Sequence, residues 1–233
     1  MTAERTYRFR DGKELRLGAR TLVMGILNVT PDSFSDGGRW NRRDDALRHM
    51  EEMVHDGADI IDIGAESSRP GFVPMSAAEE IERLLPFLEA VLPECPVPVS
   101  VDTFKAETAR AALAAGAHLL NDIWGLQYAE EPGAMAQAAA EADAPVVVMH
   151  NQNGIAYDGD VIAAMRGFFL RSFEIADAAG LARENIILDP GIGFGKTAEQ
   201  NMHVMRRMDE LVSYAGTDYP LLLGASRKSF IGA

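Results

Sequence analysis

The 233-residue chain is poor in cysteine, in basic residues and in long apolar runs. A single cysteine, Cys95, excludes an intramolecular disulfide, and we interpret it as an inert buried thiol in a reducing, cytoplasmic setting. Only 22 Lys and Arg residues stand against 35 Asp and Glu, and the net charge of −13 argues against a nucleic-acid or anionic membrane surface. No apolar run reaches the length of a membrane span, and the polar start, residues 1–12, predicts no signal peptide.

Short apolar strands alternate with amphipathic helical segments along nearly the whole chain, and no linker or change in composition interrupts them. A small hairpin is predicted first, with strands at 6–9 and 14–17 around Asp11-Gly12. The predicted strands that follow are 22–27, 58–64, 97–101, 118–120, 146–149, 185–188 and 221–223. The predicted helices include 44–55, 105–115, 133–142 and 161–179, a helix capped by Ser76 with Glu79, and one striped by Met202, Met205, Met208 and Leu211.

Polar or ionisable residues follow nearly every predicted strand. They are Asn28, Glu66, Asp102, Asn121, His150, Asp189 and Lys228. Seven contributing strands favour a TIM-type (β/α)8 barrel over a doubly wound sheet, which would place its chemistry at one crevice. We therefore expect one α/β domain over residues 1–233, with a hairpin at 1–18 and the barrel at 20–233. Because a barrel needs eight units, we expect the whole protein to continue past Ala233 for about 40–50 residues.

The loop after the first barrel strand, residues 28–38, combines an amide, two carboxylates, hydroxyls and the aromatic Phe34. A surface turn with a stray aromatic residue would have this composition, but an active-site loop explains the phenylalanine better. The glycine-rich run at 191–197 matches neither the Walker nor the dinucleotide spacing, so we interpret it as a tight turn that lets a ligand approach the backbone. We interpret Asp122 as a capping residue and His150 as a hydrogen-bonded group without a catalytic role.

Six segments resemble the dihydropteroate synthases, in the order in which that family has them. They are residues 28–38, 64–71, 100–103, 120–122, 188–194 and 226–230. The first segment is the specific one, whereas the middle segments also occur in methyltetrahydrofolate methyltransferases. The family's closing strand, with its Arg-x-His motif for pyrophosphate, has no counterpart in residues 1–233. The alternatives are a pterin-dependent methyltransferase and a non-catalytic pterin-binding protein.

The resemblance implies an enzyme of folate synthesis and of the sulfonamide target class. It implies that dihydropterin pyrophosphate condenses with para-aminobenzoate through an SN1-like path. It also implies that the enzyme is a homodimer, and we expect no nucleic-acid or membrane partner. The implied pterin-binding residues are Asp102, Asn121, Met149, Asp189, Phe194 and Lys228. A carboxylate such as Asp189 accepts two adjacent ring donors, and a carboxamide such as Asn121 offers both a donor and an acceptor.

The same resemblance assigns the remaining substrate groups. Asn28 would hold Mg²⁺ on the pyrophosphate, while Ser68 and Arg69 bind the pyrophosphate oxygens. The implied aminobenzoate pocket consists of Phe34, Pro70, Phe194 and Ser229. The implied catalytic residues are Asp32, Asp102 and Lys228, because the reaction requires charge stabilisation around a pterin-methyl cation.

Overall fold

The computed structural model describes residues 4–30, 39–66, 75–226 and 228 of the chain. Its strands are β1 Arg5–Arg8, β2 Glu14–Leu17, β3 Met24–Asn28, β4 Ile60–Gly64, β5 Val99–Asp102, β6 Leu119–Asp122, β7 Val146–Met149, β8 Ile186–Asp189, β9 Ser213–Tyr214 and β10 Thr217–Asp218. Its helices are α1 Arg39–His55, α2 Ala77–Glu94, α3 Ala106–Ala115, α4 Ala134–Ala142, α5 Val161–Ala179 and α6 Ala198–Arg206, with 3-10 turns at Arg183–Asn185 and Met208–Leu211.

Six parallel strands form the main sheet in the order β3-β4-β5-β6-β7-β8. A helix connects each strand to the next, and consecutive helices from α1 to α6 contact one another. Apolar clusters fill the space between the helices and the sheet. This repeated strand–helix order, with each strand beside its predecessor, is the arrangement of a (β/α) barrel and confirms the predicted α/β class.

The predicted seventh strand, 221–223, appears as a single parallel bridge between Leu221 and Leu188. Leu188 donates its N–H to the Pro220 carbonyl at 2.9 Å, and Leu222 donates to the Leu188 carbonyl at 2.8 Å. The nearly continuous apolar composition of the first barrel strand suits burial on both faces, but Ile26 is 59% exposed. Within the described residues β3 pairs on one side only, with β4, which leaves this side chain uncovered.

The predicted hairpin is present as β1 and β2, which pair antiparallel. Tyr7 and Leu15 of the hairpin pack against Ile60, Leu119 and Val147, near the amino ends of the barrel strands. The hairpin therefore closes the end of the sheet opposite to the polar strand ends. No helix in the described part of the chain is long and apolar enough to cross a membrane.

The helices confirm most of the predicted apolar stripes, and one stripe needs correction. Ser76 caps α2 and forms the predicted capping box with Glu79. The predicted methionine stripe was wrong at Met202, which is exposed, because the buried face of α6 instead contains Asn201 and Val204. The helix ends at Arg206, and Leu211 reaches the core from the 3-10 turn that follows.

Candidate active site

The register of the sheet places four candidate positions in one row at the carboxyl ends of the strands. Asn28 pairs with Gly64, Gly64 with Asp102, and Asp102 with Asn121. A Cβ atom added to Gly64 would lie 3.4 Å from Asp102 Oδ2 and 3.7 Å from Asn28 Oδ1. The absence of a side chain at Gly64 therefore leaves room on β4 for these two oxygens, which come from the strands on either side of it.

Four other carboxyl groups act on the Asp102 carboxyl. Burial raises the pKa of the Asp102 carboxyl well above its usual range, and the charges of Asp62, Glu80, Asp122 and Glu66 raise it further. A positive charge that develops beside Asp102 would reverse this effect and stabilise the ionised carboxylate. The environment is therefore suited to favour a cationic species over a neutral one.

The Asn121 side chain is held by Asp62, a residue that the sequence analysis did not select. Asn121 Nδ2 donates a hydrogen bond of 2.9 Å to Asp62 Oδ2. Asp62 lies on β4 and is 3% exposed, and burial raises the pKa of its carboxyl. An ionisable residue inside an otherwise apolar strand was the available signal for it.

Asp122, next in sequence, has the structural role that we expected. Its Oδ1 accepts from the Trp124 N–H at 2.9 Å, and its Oδ2 accepts from the Leu126 N–H at 2.6 Å. Burial raises the pKa of Asp122 to about 6, against the effect of these backbone donors. The residue caps the turn after β6.

Asp189 at the end of β8 is buried and fixed by the turn that follows it. Its Oδ1 accepts from the Gly191 N–H at 2.7 Å. Burial raises the pKa of Asp189 to about 6, whereas the Gly191 N–H, Lys196 and Lys228 oppose that shift. The carboxylate thus sits in a low-dielectric position with two cations near enough to act on it.

Lys228 approaches the same turn from the far end of the described chain. Its Nζ lies 4.4 Å from the centre of the Phe194 ring. A Cβ atom on Gly193 would come within 2.8 Å of Lys228 Cδ, and Gly193 has a φ of 86°. Gly193 therefore provides space for the Lys228 side chain. We had expected the glycines of this turn to provide space for a ligand beside the backbone.

Apolar side chains form a wall beside these polar groups. Met149 packs in a cluster with Phe104 and Ile123, and the half-buried Trp124, Tyr128 and Phe194 pack against it. Met149 and Phe194 were both predicted as pterin contacts. The structure places these two residues in one cluster, next to the turn that also holds Lys228.

A buried lysine that the sequence analysis missed organises the glycine-rich turn. Lys196 Nζ lies 2.9 Å from His150 Nδ1 and donates to the carbonyls of Gly191 and Phe194 at 3.0 and 3.1 Å. Burial lowers the pKa of Lys196 to about 7, and burial together with Lys196 lowers that of His150 to about 3. His150 is therefore neutral, and its contact with Lys196 agrees with our interpretation of a hydrogen-bonded group; that it has no catalytic role stays a prediction.

A second missed lysine lies behind the row. Lys105 Nζ donates to Glu80 Oε2 at 3.0 Å and to Glu66 Oε2. Glu66 Oε1 accepts from the Met75 N–H at 3.0 Å. The network connects the end of β4 to α2 and to the start of α3.

Several predicted site residues lie outside the described part of the chain. They are Asp32, Phe34, Ser68, Arg69, Pro70 and Ser229. Among the residues that the structure describes, no group of three or more His, Cys, Asp or Glu side chains is arranged to hold a metal ion. The predicted Asn28 is exposed at the end of β3.

Comparison with known proteins identifies the family that shares this barrel and this row. Residues 24–233 match the family described as pterin binding enzymes. A dihydropteroate synthase of Clostridium beijerinckii is 47% identical over 223 residues, which cover 94% of this chain and 79% of that protein. The chain therefore belongs to the pterin-binding enzymes and, within them, to the dihydropteroate synthases.

Solved structures agree with this placement. The Clostridium difficile dihydropteroate synthase, determined in the presence of pteroic acid, is 48% identical with a TM-score of 0.86, over 92% of this chain and 80% of its own. The Xanthomonas albilineans enzyme with 4-aminobenzoic acid is 39% identical with a TM-score of 0.87, over 98% and 81%.

Proposed function

We infer that this chain condenses 6-hydroxymethyl-7,8-dihydropterin pyrophosphate with para-aminobenzoate to give 7,8-dihydropteroate and pyrophosphate. The observation that carries the proposal is the grouping of Asp102 and Asn121 in one row at the strand ends, with buried Asp189 at the same end of the sheet. Relatives of 47–48% identity, one of them solved with pteroic acid, support it. Its place is then the step of folate synthesis that joins the pterin to the aminobenzoate.

The pterin would bind with its donor edge on Asp189. An ionised carboxylate accepts two parallel N–H bonds, and the Gly191 N–H keeps one oxygen of Asp189 oriented. Asn121 would contact a mixed donor and acceptor edge, and Lys228 would donate to a ring oxygen or nitrogen. Met149 and Phe194 supply apolar contacts to the ring faces.

Catalysis would consist mostly of stabilising charge. The C–O bond to pyrophosphate breaks with its electron pair on the leaving oxygen, and the arylamine nitrogen forms the new C–N bond. The amine then loses one proton to solvent. The ionised form of Asp102 is disfavoured in the free site. It would be favoured when a pterin-methyl cation develops beside it. The interaction between Asp102 and the pterin would therefore be stronger in the transition state than in the ground state.

Asn28 is the one protein ligand that we propose for Mg²⁺, so most of the oxygens around the ion would come from the substrate and from water. Asn28 offers one amide oxygen at the end of β3 and would be its protein ligand. Mg²⁺ commonly takes one or two protein oxygens together with phosphate oxygens and water. When bound, it would neutralise charge on the leaving pyrophosphate. Asp32, Ser68 and Arg69 complete the proposed group around the pyrophosphate and cation.

The aminobenzoate would occupy a pocket formed by Phe194 with Phe34, Pro70 and Ser229. A solved relative contains 4-aminobenzoic acid, which supports a separate site for this substrate. We also propose a cytoplasmic homodimer. The free, buried Cys95 suits a reducing compartment, and the dimer rests on the family resemblance.

Pyrophosphate release tests the proposal. The purified full-length protein, supplied with dihydropterin pyrophosphate and magnesium, should release pyrophosphate only when para-aminobenzoate is added. A chain that binds the pterin and methylates an acceptor instead would favour a pterin-dependent methyltransferase. Pterin binding without any turnover would favour a non-catalytic binding protein.

A further inference from the structure

Asp62 is a buried carboxylate next to the row that the proposed reaction leaves without a role. It lies two residues before Gly64 on β4, with its side chain buried and paired to Asn121 Nδ2 at 2.9 Å. Its neighbour in the ladder is Ser100, which is also buried. A free buried carboxylate is costly, so this position calls for a reason beyond packing.

The chemistry of the pair fixes the orientation of the Asn121 carboxamide. In this bond the Asp62 oxygen accepts and the Asn121 carboxamide donates, so Nδ2 is the atom of Asn121 that faces Asp62. The carbonyl oxygen Oδ1 and the second Nδ2 hydrogen then point elsewhere. A carboxamide turned by 180° would exchange its donor and acceptor positions toward any ligand.

Among the residues that the structure describes, Asp62 is the one hydrogen-bond partner of the Asn121 side chain. Within the described part of the chain, we find no second hydrogen bond to the Asn121 side chain. Its backbone carbonyl accepts from the Thr103 N–H at 3.1 Å, which fixes the main chain but not the amide. The orientation of the side chain therefore depends on Asp62.

We propose that Asp62 is a positioning residue for pterin recognition, which orients the Asn121 carboxamide so that its acceptor and donor meet the ring edge in a fixed order. This inference rests on the proposed function, since it assigns Asn121 to the pterin. Asp62 acts through Asn121 and has no contact with the ligand in this account. Its loss lowers pterin affinity only while the Asn121 amide is present.

Two substitutions separate the hydrogen bond from the charge. Asp62→Asn and Asp62→Ala both remove the negative charge near Asp102, but only asparagine keeps an oxygen that can accept from Asn121 Nδ2. We expect the affinity for 6-hydroxymethylpterin, measured by calorimetry, to be about tenfold weaker in Asp62→Ala than in Asp62→Asn. In the Asn121→Ala background, the two substitutions should differ by less than about twofold.

The chain contains a matched control at the opposite end of the barrel. Asn185 Nδ2 donates to Asp143 Oδ1 at 2.8 Å, which is the same type of bond. Asp143 has a φ of 50°, so Asp143→Gly removes the carboxylate without backbone strain. This variant should keep the wild-type pterin affinity.

The outcomes distinguish the inference from the proposed function. If the wild-type chain binds the pterin and the Ala–Asn difference persists in the Asn121→Ala background, Asp62 does not act through Asn121 and the inference is overturned. If Asp62→Ala does not fold, Asp62→Leu replaces it in the same comparison, because leucine is close to asparagine in size but accepts no hydrogen bond. Asp62→Leu should bind the pterin more weakly than Asp62→Asn only while the Asn121 amide is present, and an equal difference without that amide overturns the inference. A wild-type chain that does not bind the pterin overturns the proposed function as well.

Discussion

Lys105 provides the most demanding stability prediction, because its charge is buried between two carboxylates. The side chains of Lys105 and Glu66 are each 8% exposed, and that of Glu80 is 1% exposed. Thr108 Oγ1 donates to Glu80 Oε2 at 3.0 Å, the oxygen that also accepts from Lys105. Lys105→Met keeps most of the apolar stem but removes the cation and its hydrogen bonds.

The expected loss follows from what the substitution leaves behind. Two buried carboxylates would lose their counter-ion, and breaking one partner of a buried ion pair costs about 3–5 kcal/mol. Protonation of one carboxylate limits the loss. A second substitution, Glu80→Gln, removes one stranded charge, so the double variant should be more stable than Lys105→Met alone.

Urea unfolding followed by circular dichroism measures these free energies of unfolding. Arg110→Met is the matched control, because Arg110 forms a 2.9 Å pair with Glu141 at the surface. That variant should lose less than about 1 kcal/mol. Equal losses for Lys105→Met and Arg110→Met, or a double variant less stable than Lys105→Met, would refute the role of this network.

Three further predictions concern the glycine-rich turn and its neighbours. Gly191→Ala should lower the free energy of unfolding by more than about 3 kcal/mol, measured by thermal or urea unfolding. The new Cβ would overlap the His150 carbonyl oxygen, and Gly191 has a φ of 62°. Near-wild-type stability would contradict this geometry. The ring proton resonances of His150 should stay constant from about pH 7.5 to 5, since its pKa is about 3 in the folded state. The unfolded chain takes up this proton below about pH 6.5, so His150 lowers stability as the pH falls, and a resonance midpoint near 6.5 would exclude its burial. Asp189→Ala should lose about 2–4 kcal/mol of the binding free energy for the pterin. In the wild type, pterin affinity should fall as the pH drops through about 6, because Asp189 becomes protonated there. If the carboxylate does not bind the ring, calorimetry over a pH series would show unchanged affinity.

Local patterns in the sequence predicted the fold well. The order of strands and helices, the hairpin and the capping box at Ser76 all depend on residues close together in the chain. A second capping box, formed by Thr197 and Gln200, has the same signature and could have been found. The exposed face of β3 could not, because the exposure of Ile26 depends on which strands lie beside it.

The location of the candidate polar residues at the strand ends was predictable, but their hydrogen-bond partners were not. Asp102, Asn121 and Asp189 lie at the ends of buried strands, which marked them as candidates, and the family resemblance then assigned them to the pterin. Asp62 and Asn121 are 59 positions apart, and Lys105 reaches Glu66 across 39. Such pairs depend on the register of neighbouring strands and on helix packing, which spacing along one chain does not determine.

The joining of a pterin to an aminobenzoate is tested most directly by mass-spectrometric detection of 7,8-dihydropteroate after the full-length protein is incubated with both substrates and magnesium. Product and pyrophosphate should form in equal amounts, and Asp189→Ala should strongly reduce both. A folded protein that binds the pterin but yields no dihydropteroate under these conditions would contradict the proposed reaction.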